Sequence, residues 1–247
     1  MSTIPVLSVA LWLAAPPAFD HAALDALLRA HVADGRVDYD AFQKQPAFAA
    51  YLEALARADP AALSEPERLA FWINAYNAYT IQLINVHGER QWIRNIGKTL
   101  GIPLQSPWKE EMVRAGGKTC SLDHVEHEII RKQFREPRIH FALVCAARGC
   151  PPLRPEAYTG AKLDSQLDDQ ARAFLVRSPD KNRVDVPSRT VYLSPILDWY
   201  RADFGGTKPA VGKYLARFFP EGPARDLLQS GDFELKYTDY DWSLNQR

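Results

Sequence analysis

The sequence predicts an α+β domain, mainly helical, with β-hairpins and a short buried sheet. Three observations carry this expectation. Apolar residues recur at helical spacing through the N-terminal part of the chain. Two later stretches, "WKEEMVRAGGKTCSL" and "NRVDVPSRTVYLS", place alternating residues on either side of turn residues, as hairpins do. Regular βαβ alternation and a Gly-rich phosphate loop are both missing, which argues against a nucleotide-binding fold.

The elements follow in order. "FDHAALDALLRAHV" reads as an amphipathic helix, and "ADGRVDYD" breaks it at Gly35. A second helix is expected from about Ala41 to Ala58. "SEPERLAFWINAYNAYTIQLINVHG" carries start and stop signals: Ser64 as cap, Pro66 and Glu67 in the first turn, Gly88 at the end. It is apolar on nearly all sides, so it is expected to be central and buried. Irregular sequence runs to about Pro107, and the first hairpin turns at Gly116-Gly117. "SLDHVEHEIIRKQF" is a helix with Ser121 as N-cap and Asp123 in its first turn. "RIHFALVC" reads as a buried strand. A helix from about Lys162 to Val176 follows, then the second hairpin, turning at Pro187-Ser188. Short helices fill Pro195 to Gln229, and "DFELKYTDYDWSLN" is a terminal strand and tail. No repeat or linker divides the chain, so residues 19–247 are expected to form a single domain.

Composition narrows the function classes. At 247 residues and 47% hydrophobic content, the chain can build a core that needs no covalent staple. Thirty basic residues balance thirty acidic ones, which argues against a general nucleic-acid binder. Residues 1–18 contain the apolar run "IPVLSVALWLAAPPA", of signal-peptide length but without a basic start. It is too short to span a bilayer, as is every other apolar stretch. It reads either as a signal-peptide remnant or as an apolar arm packed on the domain.

Three cysteines make an odd count, so a disulfide framework is not the scaffold. Cys145 ends the apolar run of "IHFALVCAARGCPPLRP". On a strand, Phe141, Leu143 and Cys145 would share one face and His140, Ala142 and Val144 the other, which makes His140 a poor base for Cys145. The small residues after Cys145 admit a substrate backbone, and Arg148 would favour a thiolate. The plainer alternative is a buried structural cysteine. Cys150 lies within disulfide reach if the loop doubles back, whereas Cys120 looks structural.

In "LDHVEHEIIR", Asp123 and His127 share a helix face, as do His127 and Arg131. An Asp123 that fixed the His127 tautomer would supply the base-plus-orienter half of a triad. Otherwise these residues form a solvated face. Asn74 and Asn77 interrupt an apolar helix, where a buried amide must be hydrogen-bonded. They would either orient a catalytic histidine or pin neighbouring loops.

Together "AFWINAYNAYTIQLI", "LDHVEHEIIR", "IHFALVCAARGCPPLRPEAYTGAKLDSQL" and "YDWSLN" resemble the domain of unknown function 547 family, from about Phe19 onward. "GRVDYDAF" resembles the segment before that domain in bacterial members, which often carry signal peptides. The resemblance therefore implies a periplasmic or secreted protein, with a cytoplasmic one as the alternative. It supplies no established reaction. Some animal members join the domain to glutaredoxin-like modules, which leans toward thiol chemistry. It marks Trp72, Asn74, Asn77, Glu126, His127, Arg131, Cys145 and Pro151 as the positions that matter. Plant members tend to replace the second cysteine, which implies Cys145 as the primary thiol.

The leading expectation is a cysteine-dependent hydrolase or acyl transferase, loosely of the papain or transglutaminase kind. Cys145 would be the nucleophile and His127 the base. Asn74, Asn77 or Asp123 would orient the histidine, Glu126 and Arg131 would complete the set, and backbone amides after Cys145 would hold an oxyanion. The alternatives are thiol–disulfide chemistry at Cys145 and Cys150, and a non-enzymatic ligand-binding or interaction module. No cofactor and no metal are implied, although His127, Cys145 and an acid are a conceivable metal set. The substrate would be a small molecule or a peptide that the sequence does not name.

Overall fold

A computed structural model describes residues 17–99, 102–103 and 105–247. The apolar N-terminal run lies outside the described residues up to position 16.

The chain opens with helix α1 (Ala22–His31), whose Leu24, Leu27 and Leu28 face inward. A two-residue hairpin, β1 (Val32–Ala33) and β2 (Arg36–Val37), turns through Asp34 and Gly35, both at positive φ. The helix expected from Ala41 to Ala58 is two helices, α2 (Tyr39–Gln43) and α3 (Pro46–Arg57). Pro46 has no N–H to continue a helix, so the chain breaks before it and restarts with Pro46 in the first turn.

Helix α4 (Glu65–His87) is the axis of the molecule, buried along most of its length. Ser64 occupies its N-cap position without a side-chain capping bond, and Gly88 closes it at φ 59°. Strands β3 (Lys98–Thr99) and β4 (Ile102–Pro103) pair antiparallel. The hairpin of β5 (Glu111–Ala115) and β6 (Lys118–Ser121) turns at Gly116-Gly117 as expected. Ser121 caps the next helix by accepting from the His124 amide. That helix is not uniform: α5 (Leu122–His124) passes into a π turn, Val125–Ile130, and then into α6 (Arg131–Gln133).

"RIHFALVC" is not a strand. Ile139–Ala142 form a one-turn helix, α7, and Leu143 to Cys145 run extended without pairing to any strand. A short apolar run can be buried as either element, and periodicity does not decide between them. Here the turn beginning at Pro137 feeds the helix, through bonds from the His140 amide to the Pro137 carbonyl and from the Phe141 amide to the Arg138 carbonyl.

Helix α8 (Leu163–Leu175) precedes a three-stranded sheet of β7 (Arg183–Asp185), β8 (Thr190–Leu193) and β9 (Glu234–Tyr237). β7 and β8 are the second expected hairpin; β9 adds parallel to β8. Between β8 and β9 lie α9 (Ile196–Trp199), α10 (Lys208–Ala216) and α11 (Pro223–Ser230). The fold is thus α+β, mainly helical, with small sheets. None of its described helices is long and apolar enough to cross a membrane.

Two hydrophobic clusters fill the interior. The larger surrounds α4; the smaller gathers Phe174, Leu197, Phe204, Leu215 and their neighbours. Helix α7 lies at their junction, since Ile139 and Ala142 belong to the first and Phe141 to the second. Just after this junction comes Cys145.

Candidate functional site

The segment that leads to Cys145 is fixed by a side chain. Asn77 Nδ2 donates to the Ala142 carbonyl at 3.0 Å, and Asn77 Oδ1 accepts from the Val144 amide at 2.9 Å. A primary amide presents one donor and one acceptor side by side, as a neighbouring strand would. Asn74 does the same one turn earlier, donating to the Tyr158 carbonyl and accepting from the Tyr158 amide. Among the described residues neither asparagine hydrogen-bonds to a histidine; both pin loops, the second of the two expected roles.

The loop after Cys145 doubles back. Ala146 adopts φ 64°, a left-handed conformation that costs a non-glycine residue about 1 kcal/mol or more. The loop is bound to the C-terminal tail: Arg148 N donates to the Ser243 carbonyl and Gly149 N to the Asp241 carbonyl, each at 2.8 Å. The Cys150 amide bonds to the Ala147 carbonyl. These three amides are taken by backbone carbonyls. Arg148 is exposed and lines a second cavity, on which Cys150 also borders.

The doubled-back loop joins Cys145 to Cys150 in a disulfide, with Cα atoms 6.2 Å apart. Cys145 is half-buried and Cys150 is buried. The Cys145 amide donates to Cys150 Sγ at 3.1 Å. Tyr240 Oη lies 3.0 Å from Cys145 Sγ and 3.1 Å from Cys150 Sγ. A disulfide sulfur carries no proton, so the phenol is the donor. Burial holds the Tyr240 phenol well above its usual range, which keeps that proton in place. No histidine nitrogen bonds to either sulfur among the described residues. Cys120 is the free cysteine, half-buried, its thiol pushed up by desolvation.

Both sulfurs line a cavity of about 230 Å³. Asp123, Glu126, His127 and His140 line it too, with a wall of tryptophans and tyrosines. The π turn brings Glu126 in, where it accepts from Tyr76 Oη at 3.3 Å. Such turns often mark functional positions.

The two histidines differ in what they can do. Arg131 donates to His127 Nδ1 at 3.0 Å. Guanidinium has no acceptor, so Nδ1 is the unprotonated nitrogen and its lone pair is occupied. His127 Nε2 therefore carries the proton, with Asp123 Oδ1 3.7 Å away, beyond a hydrogen bond. No hydrogen bond joins His127 to Asp123, the expected base and orienter, at this distance. Arg131 itself grips Asp203 through two bonds, at 2.8 and 2.9 Å.

His140, set aside on the strand argument, lines the same cavity as Cys145, because α7 is a helix and strand alternation does not apply. Its Nε2 donates to Asp203 Oδ2 at 2.7 Å, which leaves Nδ1 as the basic nitrogen. Its ring stacks on Tyr200 with centroids 3.9 Å apart. Burial lowers its pKa, so the ring is neutral near pH 7; Asp203 partly opposes the shift. The Arg131 bonds, then the His140 bond, hold Asp203 below the usual carboxylate range. His140 and Asp203 are thus a hydrogen-bonded histidine–carboxylate pair at this cavity. Asp203 carried no signal in its local sequence. Tyr240 did, as the first residue of "YDWSLN".

Among the described residues, no three His, Cys, Asp or Glu side chains are grouped as metal ligands.

A mainly helical α+β domain with a cysteine pair at the wall of an aromatic cavity defines the class of protein. Residues 60–175 match the family described as "Protein of unknown function, DUF547", which the chain resembles over this segment. The segment contains both asparagines, the π turn and both cysteines, whereas Asp203 and Tyr240 lie beyond it. Neither a curated protein nor a solved structure matches the chain.

Proposed function

We propose that this protein carries out thiol–disulfide exchange at Cys145 and Cys150, in an oxidising compartment outside the cytoplasm. The observation that carries this reading is the asymmetric setting of the disulfide. Cys145 is half-buried and Cys150 buried, and Cys150 Sγ accepts from both the Cys145 amide and the Tyr240 hydroxyl, whereas Cys145 Sγ has the hydroxyl alone.

The exchange runs as follows. A substrate thiolate attacks Cys145 Sγ, the more accessible sulfur. The Cys145–Cys150 bond breaks, and its electron pair leaves on Cys150. That thiolate is stabilised by the Cys145 amide and the Tyr240 hydroxyl, both already in place. A second substrate thiolate then attacks the substrate sulfur of the mixed disulfide, releasing Cys145 as a thiolate. Two substrate thiols are oxidised to a disulfide, and the protein gains two electrons and two protons. Neutral His140, oriented by Asp203, is available as base for the incoming thiol.

The compartment is supported by chemistry, since disulfides persist where glutathione and thioredoxin do not reduce them. The apolar run before the domain fits an exported chain. A hydrolase would need Cys145 as a free thiol, whereas its sulfur is shared with Cys150.

The test is equilibration of the native protein in graded glutathione buffers, followed by alkylation and mass spectrometry. Reversible reduction with the fold retained, and alkylation of Cys145 ahead of Cys150 and Cys120, are expected. A disulfide that opens only on denaturation would make the bond purely structural and end the redox reading. Hydrolysis of an activated ester by the reduced protein alone, lost in Cys145→Ser, would revive the hydrolase instead.

A further inference from the structure

The cavity beside the disulfide has a definite chemical character. Its lining includes Asp123 and Glu126 but no lysine or arginine. Its aromatic wall is formed by Trp108, Trp199, Trp242 and Tyr240. These rings pack on one another: Tyr240 and Trp242 have centroids 4.5 Å apart, Tyr240 and Trp199 4.9 Å. Trp199 nevertheless remains 51% exposed, leaving a face open to a ligand.

Among the described residues, neither acid is hydrogen-bonded to a lysine or arginine. Glu126 is buried, yet its hydrogen-bonded neighbours are phenols, Tyr76 and Tyr200. Asp123 Oδ1 lies 3.7 Å from His127 Nε2. Arg131, whose charge also acts on Glu126, is held to Asp203 by two bonds. The ring surface already attracts positive charge, since the Arg94 guanidinium lies 5.0 Å from the centre of Trp242. Aromatic faces and carboxyl groups not bonded to a lysine or arginine together favour an ammonium or guanidinium. They disfavour an anion by the same field.

We infer that the thiol substrate of this site carries a positive charge close to its sulfur, as a cysteine beside lysine or arginine in a peptide would. The inference rests on the redox reading and names the substrate class for it. In the exchange, the cation would sit between the acids and the aromatic wall while the thiolate meets Cys145.

Three small thiols of matched size test it: cysteamine, 2-mercaptoethanol and 2-mercaptoethanesulfonate. Their second-order rate constants for reducing the native disulfide are measured per thiolate and compared with those on a neutral small-molecule disulfide. Cysteamine should exceed the sulfonate by about tenfold or more beyond the control ratio, because a cleft lined by one sign of charge raises encounter rates on that order. The ratio should shrink in high salt and in Asp123→Asn and Glu126→Gln. Equal ratios would overturn the charge inference and leave the redox reading standing. A disulfide that none of the three reduces would overturn the redox reading. In that case binding is read separately, by titrating the oxidised protein with choline and following tryptophan fluorescence. Saturable quenching that weakens in Glu126→Gln supports a cation site, and no saturable change overturns it.

Discussion

At the scale of single residues, the side chain that bears most on the proposed exchange is one whose sequence motif named no role for it. Tyr240 reaches both sulfurs with one hydroxyl. Tyr240→Phe removes that donor and keeps the ring in its packing. Cleavage of the disulfide by a given thiol should slow about 10- to 100-fold, the loss of one hydrogen bond to a forming thiolate. Stopped-flow reduction measures it, and an unchanged rate would remove Tyr240 from the mechanism. Asn77 is the structural counterpart. Asn77→Ala strips partners from two buried backbone groups, the Ala142 carbonyl and the Val144 amide. Denaturant titration should show a loss of roughly 2–4 kcal/mol, far beyond a surface substitution.

At the scale of elements, the hairpins and most helices were legible because caps, prolines and glycines mark their ends in the sequence. The two buried asparagines were legible as well, since an amide in an apolar helix must bond to something. What they bond to was not, because the partners are backbone groups far along the chain. The largest misreading was the run Ile139 to Cys145. Six apolar residues satisfy strand and helix alike, and the bonds that decide come from Pro137 and Asn77, outside the run. That reading set aside His140. The disulfide loop offers a test at its own scale. A Cβ on Gly149 would lie 2.9 Å from the Tyr240 ring. Gly149→Ala should therefore displace the tyrosine, lowering stability by about 1–3 kcal/mol and slowing reduction as Tyr240→Phe does. Calorimetry and the same kinetic assay check both effects.

At the scale of the whole molecule, the site lies where the two hydrophobic clusters meet, and Tyr240 packs against both. Stability should carry a pH signature from buried histidines. Burial lowers the His21 pKa from 6.5 to about 4. Below pH 6.5 the unfolded chain takes up a proton there that the folded chain refuses until about pH 4. Stability should thus be complete above pH 6.5 and fall across that window, by about 3 kcal/mol from this residue. His140 shifts in the same direction. Chemical denaturation at stepped pH checks the window, and His21→Gln should flatten its slope.

The placement of Tyr240 also says something about the order of assembly. The two cysteines are 5 residues apart, whereas Cys145 and Tyr240 are 95 apart. Closing the longer loop costs about 3 kcal/mol more chain entropy than closing the shorter one. An oxidant can therefore knit the cysteine pair in a chain that has not yet folded. The phenol arrives only when the clusters have condensed and the tail has docked. Unfolding without reduction should leave the covalent bond intact but strip it of its donors. The reactivity of the bond is then a property of the fold, lent to a linkage that the local sequence can make unaided.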